Sequence, residues 1–264
     1  QGLYISAKPL DTPPVKVVCG DGIMLIHLLP FFDSALIRSI LHRDDIRGQN
    51  AAMKAILNEI KPEKGVKNIL LSHCFAAGSK TCDSESALSV GGSDQIDPSL
   101  FSKFDYVALG HLHGPQKVGA NTRYSGSPLK FSFDEEHQKK SLSLVTFKEN
   151  GTEIETIPVK PLCDMRTITG TIEEILENGK NDSAKNDYIY ANLLNVRPVF
   201  EPMQKLREVY PNVLGLKPGW LDFSENGENL RLKADLRRGS GDRTIFEEFM
   251  RQICLSEPKE DELA

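Results

Sequence analysis

Two short apolar segments, each leading to a histidine, constrain the fold of this 264-residue chain more than any other feature. Residues 69–71 are Ile-Leu-Leu and lead to His73, and residues 106–109 are Tyr-Val-Ala-Leu and lead to His111. Apolar runs of this length are typical of strands buried in a sheet whose faces are covered by helices. The sequence therefore predicts an α/β fold with histidines at the carboxyl ends of two buried strands.

The histidine spacing indicates a metal site. His111 and His113 are two residues apart, so an extended backbone would present both imidazoles on one side. Neutral imidazole suits zinc, manganese and iron, and functional groups in open α/β sheets gather where strands end. Metal ligation by His73, His111 and His113 is one interpretation, and ordinary hydrogen-bonded loop histidines are the other. The other histidines lack this context, and we expect no metal role for them: His27, His42 and His137.

Composition limits the classes of protein. The five cysteines form no Cys-x-x-Cys pair, which favours reduced thiols in the cytoplasm over a disulfide framework. No apolar run approaches the roughly 20 residues that span a bilayer, so we expect a soluble protein with no membrane association. The net charge of −5 argues against a general attraction for nucleic acid, but it does not exclude a local site.

The element pattern predicts two domains. An Asp-Gly turn between two apolar runs, at residues 20–22, indicates a β-hairpin. Two segments with helical spacing follow, 33–45 and 48–62. After the long Gly/Ser/Asp-rich loop between the two histidine-ending strands, the chain reads as short antiparallel strands. We expect one domain over residues 1–160.

From Pro161 the pattern changes to alternating strands and helices. We expect a smaller α+β domain over residues 161–264, with strands and helices in alternation and a final strand and helix at 227–237 and 242–254.

Residues 70–145 resemble a known family. The stretches "LLSHCFAAGS", "DSESALSVGGSDQIDPSLFSKFDYVALGHLHGPQKV" and "TRYSGSPLKFSFDEEHQKKSLSLV" are similar to the SbcD nuclease subunits, which are calcineurin-like metallophosphoesterases. Two further stretches, "YPNVLGL" and "IFEEFM", resemble the SbcD capping domain. The resemblance implies a two-layer metallophosphoesterase β sandwich with flanking helices, present in part, followed by a DNA-capping domain.

The same resemblance implies a function. The intact protein would be a manganese-dependent double-strand exonuclease and single-strand endonuclease that acts on DNA ends and hairpins with the SbcC ATPase, and it would form a homodimer. His73 and His111 would face one manganese ion, and His113 the other. Ligand orientation or donation to phosphate is one interpretation, and ordinary turn chemistry the other, for Ser84, Glu85, Ser86, Ser125 and Ser127. Arg123 and Lys130, on the same rim, are expected to contact the DNA backbone. Lys139 and Lys140 are expected to form a solvated surface pair.

The sequence also departs from the family pattern. The Asp-x-His, Gly-Asp and Gly-Asn-His-Asp motifs are expected upstream of "GLYI", and no Asp-x-His or Asn-His occurs in the chain. Gly20-Asp21 fits a hairpin turn better than a bridging aspartate. The catalytic acid histidine of the family therefore has no counterpart, and we expect an SbcD without its N-terminal part, with an incomplete two-ion site and little nuclease activity by itself.

Two other functions remain open from the sequence. The chain could be a non-catalytic module that docks onto SbcC or DNA, which the missing ligands favour. It could instead be a small-substrate metallophosphoesterase, although the second domain counts against this alternative.

Overall fold

The computed structural model describes residues 2–20, 22–82, 84–85, 95–148 and 151–221. The chain divides into two compact units, Gln1–Pro161 and Leu162–Ala264. The nuclease and DNA-capping roles expected for the two domains stay predictions. Among the described residues, no helix is long and apolar enough to cross a membrane.

The first unit begins with the predicted β-hairpin. Strand β1 (Val15–Cys19) pairs antiparallel with β2 (Gly22–Leu29), and Cys19 lies opposite Gly22. The turn residue Asp21 lies outside the described residues. The hairpin prediction is confirmed by this pairing.

Two helices follow the hairpin, as the sequence predicts. Helix α1 (Ser34–Leu41) begins after Asp33, whose carboxylate accepts a hydrogen bond from the Leu36 N–H at 2.7 Å. Helix α2 (Gly48–Glu59) ends shortly before Pro62, which cannot continue a helical hydrogen-bond ladder. Both helices bury apolar side chains in a core shared with the central strands, including Ile37, Met53, Ile56, Leu70 and Val107.

The two histidine-ending segments are neighbouring parallel strands. Strand β3 (Lys67–His73) pairs with β2 on one side and with β4 (Tyr106–Gly110) on the other, and His73 lies beside Gly110. Parallel neighbours bring their carboxyl ends to the same edge of the sheet, so the segments after both strands meet there.

One strand prediction needs correction. The segment after the histidines was expected to form only antiparallel pairs, and β5 (Gln116–Lys117) does pair antiparallel with β6 (Thr122–Tyr124). However, β6 pairs parallel with β4. This pairing buries Thr122 and Tyr124, and the fully buried Tyr124 ring joins the core beneath the helices. The first sheet therefore has the order β1-β2-β3-β4-β6-β5.

A two-stranded ribbon completes the first unit. Strand β7 (Ser141–Lys148) pairs antiparallel with β8 (Gly151–Pro158), while the turn residue Asn150 lies outside the described residues. Short 3-10 helices precede these strands at Pro98–Phe101 and Phe133–Glu135. The α/β class is confirmed.

The described part of the second unit, residues 162–221, contains a small parallel sheet and two helices. In chain order it contains β9 (Met165–Gly170), α3 (Ile172–Lys180), β10 (Tyr188–Leu193), α4 (Pro202–Val209) and β11 (Val213–Pro218). The strand order is β11-β10-β9, with both pairings parallel. Helix α3 starts with a capping box between Thr171 and Glu174. A short 3-10 helix follows at Gly219–Leu221.

Sequence analysis missed β11. The terminal Pro218 argues against a central strand, but it is tolerated here because β11 lies at the edge of its sheet among the described residues. The strand and helix predicted at 227–237 and 242–254 lie outside the described residues.

Candidate metal centre

His73 and His111 come together at the carboxyl ends of β3 and β4. Their ring centroids are 5.4 Å apart, with the ring planes inclined at 67°. Gly110 makes this approach possible, because a Cβ atom at this position would lie 2.9 Å from His73 Nδ1. The Gly-His pair therefore places two imidazoles at one edge of the sheet.

The backbone at His111 is unusual. Its φ is +113°, a conformation that side-chain-bearing residues rarely adopt and that usually stores strain. Strain of this kind persists only where surrounding structure enforces it, and it concentrates at functional sites. The strained residue here is one of the two converging histidines.

Burial lowers the pKa of both converging rings and so favours their neutral form. Desolvation lowers the pKa of His73. It also lowers the pKa of His111, and the nearby His73 and His113 lower it further. Neutral imidazole is the form that binds metals, because a ring nitrogen then has a lone pair to donate.

His113 is held through three of its polar groups. Its backbone N–H donates to Glu85 Oε1 at 2.6 Å. Its carbonyl accepts from the Ser127 N–H at 3.0 Å and from Lys140 Nζ at 3.0 Å. Its ring nitrogen Nδ1 lies 2.8 Å from Glu135 Oε1. Both the backbone and the ring orientation of this residue are therefore fixed.

Glu135 is the centre of a buried polar network. Its side chain is fully buried and pairs with Lys140 Nζ at 2.6 Å, while Ser84 Oγ donates to it at 2.8 Å. Burial acts to raise the pKa of Glu135, but the hydrogen bonds from Lys140, His113 and Ser84 outweigh it and lower the pKa. The charged carboxylate is placed to accept a hydrogen bond from His113 Nδ1, the carboxylate–histidine contact common among metal-binding histidines.

The Glu135 network shows that the prediction for Lys140 is wrong. Lys140 was expected to be half of a solvated pair with Lys139, but its side chain is buried and lies within hydrogen-bond distance of four acceptors. Lys139 is exposed, as expected. The correction has a physical reason, since the buried Glu135 carboxylate requires a compensating charge.

Glycine and tyrosine shape the loops that carry the histidines. Gly126 has a φ of +78°, and a Cβ atom there would lie 2.6 Å from the His113 carbonyl oxygen. Tyr124 Oη accepts from the Ala76 N–H at 2.8 Å and donates to the Cys74 carbonyl at 2.6 Å. The hydrogen bonds of Tyr124 fix the chain directly after His73. The close approach of Gly126 allows the loop after β6 to pack against the backbone of His113.

The residues expected to orient ligands or to contact DNA lie in different environments. Ser84, Glu85 and Ser127 contact His113 or its network, as described above. Ser125 is half-buried after β6, and Ser86 lies outside the described residues. Arg123 Nε donates to Ser143 Oγ at 3.2 Å, and Lys130 is half-buried. Their expected contacts with DNA stay predictions.

Sequence reasoning missed three residues at this site. Glu135 and Lys140 stand in "DEEHQKK", a charged run that ordinarily indicates a solvated surface. Cys82 has no partner cysteine at metal-ligand spacing, yet it offers a possible ligand atom beside Glu85 and His113. Glu135 follows a Phe-Ser-Phe segment, and this weak apolar context is the one signal of its burial.

His27, His42 and His137 lie apart from the converging rings. His27 is buried and lies 3.2 Å from the Asn68 side-chain oxygen. His42 ends α1 in a left-handed conformation with a φ of +52°, and His137 is exposed.

Two comparisons identify relatives. Residues 161–253 match the SbcD_C family model, described as the type 5 capsule protein repressor C-terminal domain. A Staphylococcus epidermidis protein named as a subunit of the nuclease SbcCD is 33% identical over 242 residues, which cover 89% of this chain. The aligned part is 63% of that relative, so the chain spans less than two thirds of its length. Residues 161–253 thus match an SbcD_C domain, and most of the chain is similar to part of an SbcCD nuclease subunit.

Proposed function

We propose that this chain supplies three histidine ligands, His73, His111 and His113, to the metal centre of an SbcD-type DNA nuclease. The convergence of His73 and His111, whose ring centroids are 5.4 Å apart, carries this proposal. His113 contributes a ring whose orientation is fixed by the buried Glu135. The intact protein is a metal-dependent phosphodiesterase.

The side chains fit a divalent transition-metal ion, and the resemblance to SbcD proteins implies that this ion is manganese. Neutral imidazoles bind such ions, and the lowered pKa of His73 and of His111 keeps their lone pairs available. Bound metal supplies Lewis-acid polarisation of a phosphate and a water molecule of lowered pKa. The role of this chain is to hold neutral ring nitrogens at the edge of the sheet in fixed orientations.

The histidines are insufficient for two ions. A two-metal site holds its ions about 3.5–4 Å apart, which requires anionic ligands between them. Among the described residues, Glu85 and Glu135 are the carboxylates that contact His113, and both accept hydrogen bonds from it. The chain by itself therefore binds manganese weakly and cleaves DNA little or not at all.

The substrate and partner follow from the relative and from the resemblance to SbcD proteins. The Staphylococcus epidermidis protein is named as a subunit of the SbcCD nuclease. This name supports a nuclease with a partner subunit. From the resemblance to SbcD proteins we infer further that the intact protein acts on DNA ends and hairpins, as a double-strand exonuclease and single-strand endonuclease in the cytoplasm, with an SbcC-type ATPase and as a homodimer. The first unit is part of a two-layer metallophosphoesterase sandwich, which the hydrogen bond between Arg123 on β6 and Ser143 on β7 supports. The second unit, which carries the SbcD_C match, caps the DNA.

Cleavage of hairpin DNA by the intact protein with its ATPase tests this function. We expect manganese-dependent cleavage that His111→Ala abolishes and that His42→Asn retains, since asparagine tolerates the left-handed conformation at position 42. Binding of DNA or of the ATPase without any cleavage would contradict the nuclease and support a docking module. Hydrolysis of small phosphoesters without DNA cleavage would instead favour a small-substrate enzyme.

A further inference from the structure

Three different ligand types converge beside the candidate metal centre. Cys82, Glu85 and His113 each offer one ligand atom, and these atoms all lie within 4.8 Å of one another. Thiolate, imidazole and carboxylate are the ligands that zinc uses, with ligand bonds of about 2.0–2.3 Å. Manganese prefers oxygen ligands, so the sulfur of Cys82 distinguishes this group from a manganese site.

The carboxylate of the group is already oriented. Glu85 Oε1 accepts from the His113 N–H at 2.6 Å, and Oε2 accepts from the Cys82 N–H at 3.0 Å. Each oxygen keeps lone-pair capacity for a metal. The two hydrogen bonds hold the carboxylate against the backbones of both other ligand residues. The carboxylate therefore needs little reorientation when an ion binds.

The thiol is oriented toward the same group. Cys82 Sγ lies 3.2 Å from Ser84 Oγ, which itself lies 3.2 Å from His113 Nδ1. A backbone hydrogen bond from the Glu85 N–H to the Cys82 carbonyl at 3.1 Å closes the turn that carries both ligands. Ser84, which lies in the same turn as Cys82 and Glu85, therefore contacts both the thiol and the imidazole of His113.

Solvent reaches Cys82 and Glu85 through a cavity of about 330 Å³. Gln116, Gln138 and the cationic side chains of Lys80 and Lys139 also line this cavity. An ion can reach the thiol and the carboxylate by this route. Three protein ligands with an open fourth position form a recognised class of zinc site.

We propose that Cys82, Glu85 and His113 form a zinc site that adjoins the nuclease centre. Zinc binding releases the Cys82 thiol proton to solvent, because the thiolate is the ligand form. His113 is shared with the proposed nuclease centre, so zinc and manganese compete for it. This second consequence rests on the proposed function, whereas zinc binding itself does not. Zinc is then an inhibitor of the nuclease.

Cobalt absorption spectroscopy on the reduced chain tests the site without any activity measurement. Co²⁺ occupies tetrahedral zinc sites, and a thiolate ligand gives a charge-transfer band in the near ultraviolet. We expect this band to saturate at one equivalent and to disappear when Zn²⁺ is added. Cys82→Ser should abolish the band, Glu85→Gln should weaken it, and the matched variant Cys19→Ser, at an exposed cysteine, should retain it.

Different results would overturn the zinc site and its competition with manganese. Absence of the band in the wild-type chain, or an equal band in a Cys82→Ser protein with unchanged thermal unfolding, would overturn the site. In the intact nuclease, zinc should depress manganese-dependent cleavage by a larger factor in the wild type than in Cys82→Ser. Equal depression would overturn the competition, whereas complete lack of cleavage in both proteins would count against the proposed function and leave the cobalt result standing.

Discussion

His113 Nδ1 lies 2.8 Å from Oε1 of the fully buried Glu135. The other carboxylate oxygen pairs with Lys140 Nζ at 2.6 Å. The buried Lys140–Glu135 charge pair is therefore in contact with the imidazole of His113. Such a carboxylate–histidine contact fixes the protonated ring nitrogen and the ring orientation before any metal binds. Metal binding then requires little rearrangement of His113.

The buried pair should contribute far more to stability than an exposed one. Glu135→Gln leaves Lys140 charged and buried, and we expect it to lower the free energy of unfolding of the first unit by about 3–5 kcal/mol. The matched variant Glu153→Gln breaks the exposed pair with Lys148, and we expect a loss of about 1 kcal/mol or less. Urea unfolding followed by NMR signals of the first unit measures both. Equal losses would show that the Glu135 network is not a buried charge pair.

Acid should weaken the contribution of Glu135 to the stability of the first unit. The pKa of Glu135 is lowered in the folded chain, so the unfolded chain takes up this proton first as the pH falls. The stabilisation is complete above the unfolded pKa of about 4.3 and is lost as the pH falls through the folded pKa. The difference in unfolding free energy between wild type and Glu135→Gln should therefore shrink from neutral pH toward about pH 3. A difference that is independent of pH would contradict the shift.

Gly110 should be essential to the His73–His111 contact. Gly110→Ala places a methyl group 2.9 Å from the present position of His73 Nδ1, so the ring must move. We expect manganese affinity to fall about 10-fold or more, as when other groups that orient a metal ligand are changed. Gly114→Ala is the matched control, because its Cβ would meet Gln138 at an ordinary 3.6 Å. Similar affinities in the two variants would contradict the role of Gly110.

The strain at His111 should appear as a difference in stability between two variants. Both His111→Gly and His111→Ala remove the imidazole, but only glycine adopts a φ of +113° readily. We expect the glycine variant to be more stable than the alanine variant by about 1 kcal/mol. Thermal unfolding of the pair measures this difference. A more stable alanine variant would show that the strain is not relieved by removing the Cβ atom.

Local patterns were sufficient to predict the elements that position the site. The apolar runs before His73 and His111 became neighbouring parallel strands, and the Asp-Gly turn joins a hairpin. These predictions succeeded because short apolar runs and turn dipeptides act through nearby sequence. The parallel pairing of β6 with β4 was missed, because it depends on burying Tyr124 in a core assembled from distant segments.

The polar half of the site could not be predicted from the sequence. Glu135 and Lys140 stand in a run of charges, and only tertiary packing distinguishes their burial from the exposure of Lys139. Cys82 and His113 are 31 positions apart, and no local pattern indicates that their ligand atoms converge. A charged residue within a charged run is ordinarily solvated, so the sequence pattern favours the wrong environment here.

The most direct test of the account counts manganese bound to this chain. Electron paramagnetic resonance of free Mn²⁺ gives the bound fraction in the wild type, in His111→Ala and in His42→Asn. We expect weak binding by the wild type and by His42→Asn, and none by His111→Ala. Binding that is unchanged in His111→Ala, or no binding by any of the three proteins, would contradict the claim that these histidines form a metal centre.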